Sequence, residues 1–83
     1  MAKIVVQVYL PQIGKAYDVR IADDAFIYQI TMQLTALFAK KRDIAFIPDQ
    51  NTVLCEATTG KILDENLIVA EAAISNGSRL MLI

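Results

Sequence analysis

The chain has no histidine and only one cysteine, Cys55, among its 83 residues. These two scarcities narrow the chemistry before any pattern is read. An active site ordinarily needs a group that titrates near neutrality, or a metal in its place. Without histidine the usual thiol-activating base is missing, and a lone cysteine supplies no dithiol, zinc quartet or iron–sulfur ligand set. Cys55 therefore reads as a small buried hydrophobe, and no catalytic residue, cofactor or metal site is expected. It cannot close an internal disulfide, and no signal-peptide pattern precedes the first strand, so a reducing, cytoplasmic compartment is expected. No apolar run approaches the roughly 18–20 residues that span a bilayer, which leaves membrane association to a partner.

Strong charge of either sign is also lacking. The formal net charge is −1 and the basic residues are dispersed, which supports neither a nucleic-acid groove nor an anionic membrane surface. Lys40-Lys41-Arg42 falls where a helix should end, and there the helix dipole favours cations. Asp23, Asp24, Asp64 and Glu65 lie at element ends, where caps and turns account for them; Asp23 and Asp24 are expected to cap the helix. Thr58-Thr59-Gly60-Lys61 lacks the glycine spacing and following helix of a phosphate loop, and reads as a hairpin turn. Repeats, low-complexity tracts and linkers are not visible.

What the chain does have is periodicity. From Phe26 to Lys41, Ile27, Ile30, Leu34, Leu37 and Phe38 recur at helical spacing, with Gln29, Gln33 and Lys40 opposite. Tyr28, Met32 and Ala39 form a second, weaker strip, expected to lie under the later coil. Lys3–Leu10 alternates as a strand, with Ile4, Val6, Val8 and Leu10 toward the helix and Lys3, Val5, Gln7 and Tyr9 away from it. Pro11–Gly14 is a turn. Ala16–Ala22 returns as a second strand with Tyr17, Val19 and Ile21 inward, making a hairpin.

Residues 44–50 read as a connector anchored by Ile44, Phe46 and Ile47 and stopped at Pro48. Val53–Ala57 is a short strand with Leu54 outward, although a slip of one residue would exchange it with Cys55. Lys61–Leu63 is a shorter edge strand, and Leu67 and Ile68 are expected core plugs in an irregular stretch. Asn76-Gly77 signals a turn into the last strand, Arg79–Ile83, with Leu80 and Leu82 inward. The expectation is one domain over 1–83, of α+β class: a mixed four- to five-stranded sheet with one helix across one face. Ordered across the sheet, the strands should run second, first, last, third, fourth. Hydrophobic content of 55 % is high for so small a domain, so some apolar side chains must face outward, as at a partner surface.

This order of elements resembles the β-grasp, or ubiquitin-like, fold. Ile47-Pro48-Asp49-Gln50 resembles the segment after the helix of ubiquitin, and Gly60-Lys61-Ile62-Leu63 its turn into the fourth strand. Tyr17-Asp18-Val19-Arg20 and Ile74-Ser75-Asn76-Gly77-Ser78-Arg79-Leu80 resemble the YukD/EsaB family, bacterial ubiquitin-like proteins encoded with type VII secretion systems. The resemblance implies a non-enzymatic accessory or regulatory component of such a system that acts by binding protein. The alternative is a β-grasp adaptor subunit of another complex, comparable to Ras-binding or PB1-type modules. Conjugated ubiquitins and the related sulfur carriers need a flexible tail ending in Gly-Gly, whereas this sequence finishes on Leu80-Met81-Leu82-Ile83, so conjugation is not expected. The partner surface is expected on the sheet face away from the helix: Val5, Leu54, Met81 and Ile83 as an apolar patch, with Arg20, Gln7 and Arg79 in its polar surround. A protein partner is expected, with self-association left open and no nucleic acid.

Overall fold

The computed structural model describes residues 3–41 and 52–83. β1 (Lys3–Leu10) and β2 (Lys15–Ala22) form an antiparallel hairpin in unbroken register, from Lys3 opposite Ala22 to Leu10 opposite Lys15. The Leu10 carbonyl accepts from the N–H groups of Ile13 and Gly14 to close the turn. Gly14 sits there at φ 66°, a left-handed conformation that favours glycine. α1 (Ile27–Ala39) follows, then β3 (Leu54–Glu56) and β4 (Arg79–Leu82). β4 runs parallel to β1 and antiparallel to β3, which gives a four-stranded mixed sheet in the order β2-β1-β4-β3. The expected fifth strand at Lys61–Leu63 is reduced to a single bridge, Ile62 to Cys55.

One core joins the sheet to the helix. Val6, Val8 and Leu10 of β1, Ile21 of β2, Leu54 of β3 and Leu80 and Leu82 of β4 pack with Ile27, Ile30, Leu34 and Phe38 of α1. Tyr17 reaches Phe38 with ring centroids 5.4 Å apart. Leu37 was expected in this stripe but is 43 % exposed. At 100° per residue it lies about 80° from the stripe's centre. Thr31 is buried in the stripe instead, its hydroxyl satisfied by donation to the Ile27 carbonyl at 2.9 Å.

The helix start also differs from expectation. Phe26, in extended conformation, occupies the N-cap rather than Asp23 or Asp24, and no acidic side chain enters the first turn. The first turn's N–H groups, which lack intrahelical partners, are met by another segment's backbone: Ile27 donates to the Leu67 carbonyl at 2.9 Å and Tyr28 to that of Glu65 at 3.3 Å. Gln29 reaches back to accept from the Phe26 N–H at 3.0 Å. Docking of residues 65–69 against the helix start thus replaces a carboxylate cap. In that segment Val69 is fully buried, and Ile74 just after it is nearly so, whereas the expected plugs Leu67 and Ile68 are half-buried. The segment docks through the backbone of Ala25, Ile27 and Tyr28, and the side chains of Tyr28, Met32 and Ala39 are exposed rather than covered. The expected connector 44–50 lies outside the described residues.

Candidate protein-binding face

The sheet's second face is set by register. Neighbouring residues on a strand point to opposite faces, and directly paired residues share a face. Since Val6 and Val8 face the helix, Val5, Gln7 and Tyr9 face away. Tyr9 pairs with Ala16 on one side and Met81 on the other, Met81 pairs with Cys55, and Cys55 bridges to Ile62. These links define one continuous row across the sheet: Ala16, Tyr9, Met81, Cys55, Ile62. In the adjoining row Val53 and Ile83 exchange backbone hydrogen bonds of 2.7 and 3.0 Å. Tyr9, Ile62 and Ile83 are exposed, while Met81 and Val53 are half-buried. Together they make an apolar band on the face away from the helix.

A polar row borders the band, because Gln7 pairs with both Asp18 and Arg79. Arg20 lies beyond it, opposite Val5. The structure therefore brings the expected Met81 and Ile83 together, with Gln7 and Arg79 at their margin. It separates Val5 from them by the Asp18–Gln7–Arg79 row. Leu54 does not belong to this surface: paired with the inward Leu82, it is 2 % exposed and part of the core. Cys55 is the residue of that strand on the outer face, and it is wholly buried between Met81 and Ile62 in the row. Tyr9 and Ile62 are the additions; Tyr9 was legible as outward from the alternation of β1, whereas Ile62 needed its bridge to Cys55.

Two backbone details hold the band's border. Asn76 accepts from the Val5 N–H through its side-chain carbonyl at 2.8 Å, and the Gly77 N–H donates to the Val5 carbonyl at 2.8 Å. They extend the β1–β4 contact ahead of the first residue of β4, Arg79. Burial pushes the Cys55 thiol above its ordinary range, which keeps it protonated and a poor nucleophile. A cleft of about 390 Å³ at the other face is lined by Glu56, Leu63, Ala72, Ile74 and Leu80 among others. Its carboxylate, Glu56, accepts from the Thr58 hydroxyl at 2.8 Å. Among the described residues there is no group of three or more His, Cys, Asp or Glu side chains able to hold a metal, and no helix long and apolar enough to cross a membrane.

No protein-family model matches the chain, and no curated protein matches it in sequence. Solved structures do. The EccD5 ubiquitin-like domain from Mycobacterium xenopi aligns with a TM-score of 0.83 at 21 % identity, over 100 % of this chain and 94 % of that one. A chain of the toluene 4-monooxygenase HD complex with the inhibitor 4-bromobenzoate aligns with a TM-score of 0.79 at 6 % identity, covering 98 % and 96 %. The ubiquitin of Caldiarchaeum subterraneum aligns with a TM-score of 0.76 at 14 % identity, covering 99 % and 92 %. The chain has the ubiquitin-like α+β fold. Such a fold hosts different functions in different proteins, so function has to be argued from the surface.

Proposed function

We propose that this chain is a non-enzymatic protein-interaction module whose partner docks on the apolar band of the sheet. The carrying observation is the band itself: Tyr9, Met81, Ile62 and Ile83 side by side on one face, bordered by Gln7 and Arg79. An apolar centre with a polar rim is the ordinary anatomy of a binding surface. Aromatic and methionine side chains at its middle are the types that contribute most there, by covering area while adapting to a partner's shape.

The context proposed is a type VII secretion system, with the chain as an accessory or regulatory component. The Tyr17–Arg20 and Ile74–Leu80 stretches support it through their resemblance to the YukD/EsaB family. The whole-length likeness to the EccD5 ubiquitin-like domain supports the same reading. The test is a double variant, Ile62→Asp with Met81→Asp, returned to the native host. Secretion of small WXG-motif proteins should fall while the variant stays folded; unchanged secretion from cells that need the wild-type chain would overturn the proposal.

A further inference from the structure

β2 is an edge strand with its hydrogen-bonding groups in a definite arrangement. On β1, Gln7 donates to the Ser78 carbonyl and Val5 accepts from Gly77, so Val5, Gln7 and Tyr9 turn their backbone groups toward β4. The alternate residues Ile4, Val6, Val8 and Leu10 therefore serve β2, bonding with their partners Ile21, Val19, Tyr17 and Lys15. It follows that Ala16, Asp18, Arg20 and Ala22 turn their N–H and C=O groups outward, away from the sheet.

Edges of this kind are usually blunted by proline, a bulge, a short length or repelling charge. β2 has eight residues, no proline and an unbroken register, and its charges, Lys15, Asp18 and Arg20, are of both signs rather than of one repelling sign. The opposite edge, by contrast, is a three-residue strand on which the chain doubles back, with Leu63 donating to Leu54 and Glu56 to Lys61. Among the described residues no backbone hydrogen bond reaches Ala16, Asp18 or Arg20 from beyond the sheet.

We propose that β2 is a dimerisation strand, on which a second copy of this chain pairs antiparallel about Val19 and joins the two sheets into one. Pairing about Val19 sets Asp18 of each copy directly opposite Arg20 of the other, twice over. Both are residues whose backbone groups face outward, so each such pair exchanges both of its N–H···O bonds. Ala16 falls opposite Ala22 with the same parity. On the inner face Val19 meets Val19, and Tyr17 meets Ile21. Tyr17 and Val19 are half-buried in the single chain, and the pairing covers them.

Charge selects this register over its neighbours. Sliding by two residues sets Asp18 against Asp18 one way and Arg20 against Arg20 the other, and sliding by one breaks the hydrogen-bonding parity. The apolar band stays free in the dimer, so this inference stands apart from the proposed partner surface.

Sedimentation equilibrium of the full chain, from micromolar to submillimolar concentration, tests it. Wild type should show a concentration-dependent dimer. Asp18→Arg alone, or Arg20→Asp alone, places like charges opposite each other and should weaken the dimer by about tenfold or more. The double exchange Asp18→Arg/Arg20→Asp should restore it, as should mixing the two single variants. Met81→Asp should leave it unchanged. Thermal melts establish that each variant is folded, which the exposed positions 18 and 20 and the half-buried position 81 permit. A wild type that stays monomeric, single exchanges without effect, a double exchange that fails to restore the dimer, or a dimer dissolved by Met81→Asp would each overturn the proposal.

Discussion

Replacing Leu34 by alanine probes the packing of helix on sheet directly, because Leu34 is 4 % exposed and lies within the shared core. The substitution removes three carbons from the interior. At about 0.8 kcal/mol per buried methylene the lost transfer alone is about 2.4 kcal/mol. The space left behind raises the expected cost into the range of about 2–5 kcal/mol. Leu37, one turn away on the flank, already leaves 43 % of its surface in water. Its truncation forfeits about 1 kcal/mol and opens no closed cavity. Gln33 is exposed, and alanine there should change stability by less than about 0.5 kcal/mol. In urea, with a slope of about 1 kcal/mol per molar for so small a domain, Leu34→Ala should lower the midpoint by about 2 M or more. Leu37→Ala should shift it by about a third to a half as much. Equal shifts for Leu34 and Leu37, or a shift for Leu34 below that for Gln33, would refute this assignment of the buried stripe.

Three other outcomes follow from the same geometry. Deleting Leu80–Ile83 removes β4, an inner strand carrying the buried Leu80 and Leu82, so the chain should lose its cooperative melt by circular dichroism; a folded truncation would contradict that. Ala73 is held at φ 60°, where an L side chain is strained, so Ala73→Gly should stabilise by about 0.5–1 kcal/mol, read as a raised melting temperature. For Cys55, the pKa is raised by burial from an ordinary 9.0. Above that value the unfolded chain gives up its thiol proton first, so the folded state holds more protons and stability falls as pH rises. The contribution is intact below 9.0 and lost as pH climbs through the folded value. Wild type should thus lose stability more steeply than Cys55→Ala in alkaline melts, and identical slopes would count against it.

The strands and helix were legible because their periods are unambiguous. Lys3–Leu10 alternates cleanly, and its bounds in the structure are those expected. The errors fall where local pattern is silent. In Val53-Leu54-Cys55 every residue is apolar, so alternation cannot tell inside from outside; pairing with Leu82 decided it, and no local signal encodes that pairing. Asp23 and Asp24 look like caps, but the carbonyls of Glu65 and Leu67, far along the chain, meet the first helical N–H groups instead. Leu37 fits the helical spacing yet sits at the stripe's margin, about 80° from its centre, where it is exposed. For the candidate face the outward set of β1 and β4 was readable, so Tyr9, Met81 and Ile83 could be placed. The polar row that parts Val5 from them emerges only from the parallel register of Gln7 with Arg79.

Among the described residues, two exposed apolar surfaces compete as the partner site: the sheet band around Tyr9 and the helix flank of Tyr28 and Met32. Photocrosslinking in the native host separates them most directly, with a photoreactive amino acid placed at Tyr9 in one variant and at Tyr28 in another. If the band is the docking face, the Tyr9 variant gives a discrete crosslinked product that Ile62→Asp with Met81→Asp abolishes, and the Tyr28 variant gives none. A product from Tyr28 that survives those two substitutions, with none from Tyr9, would contradict it.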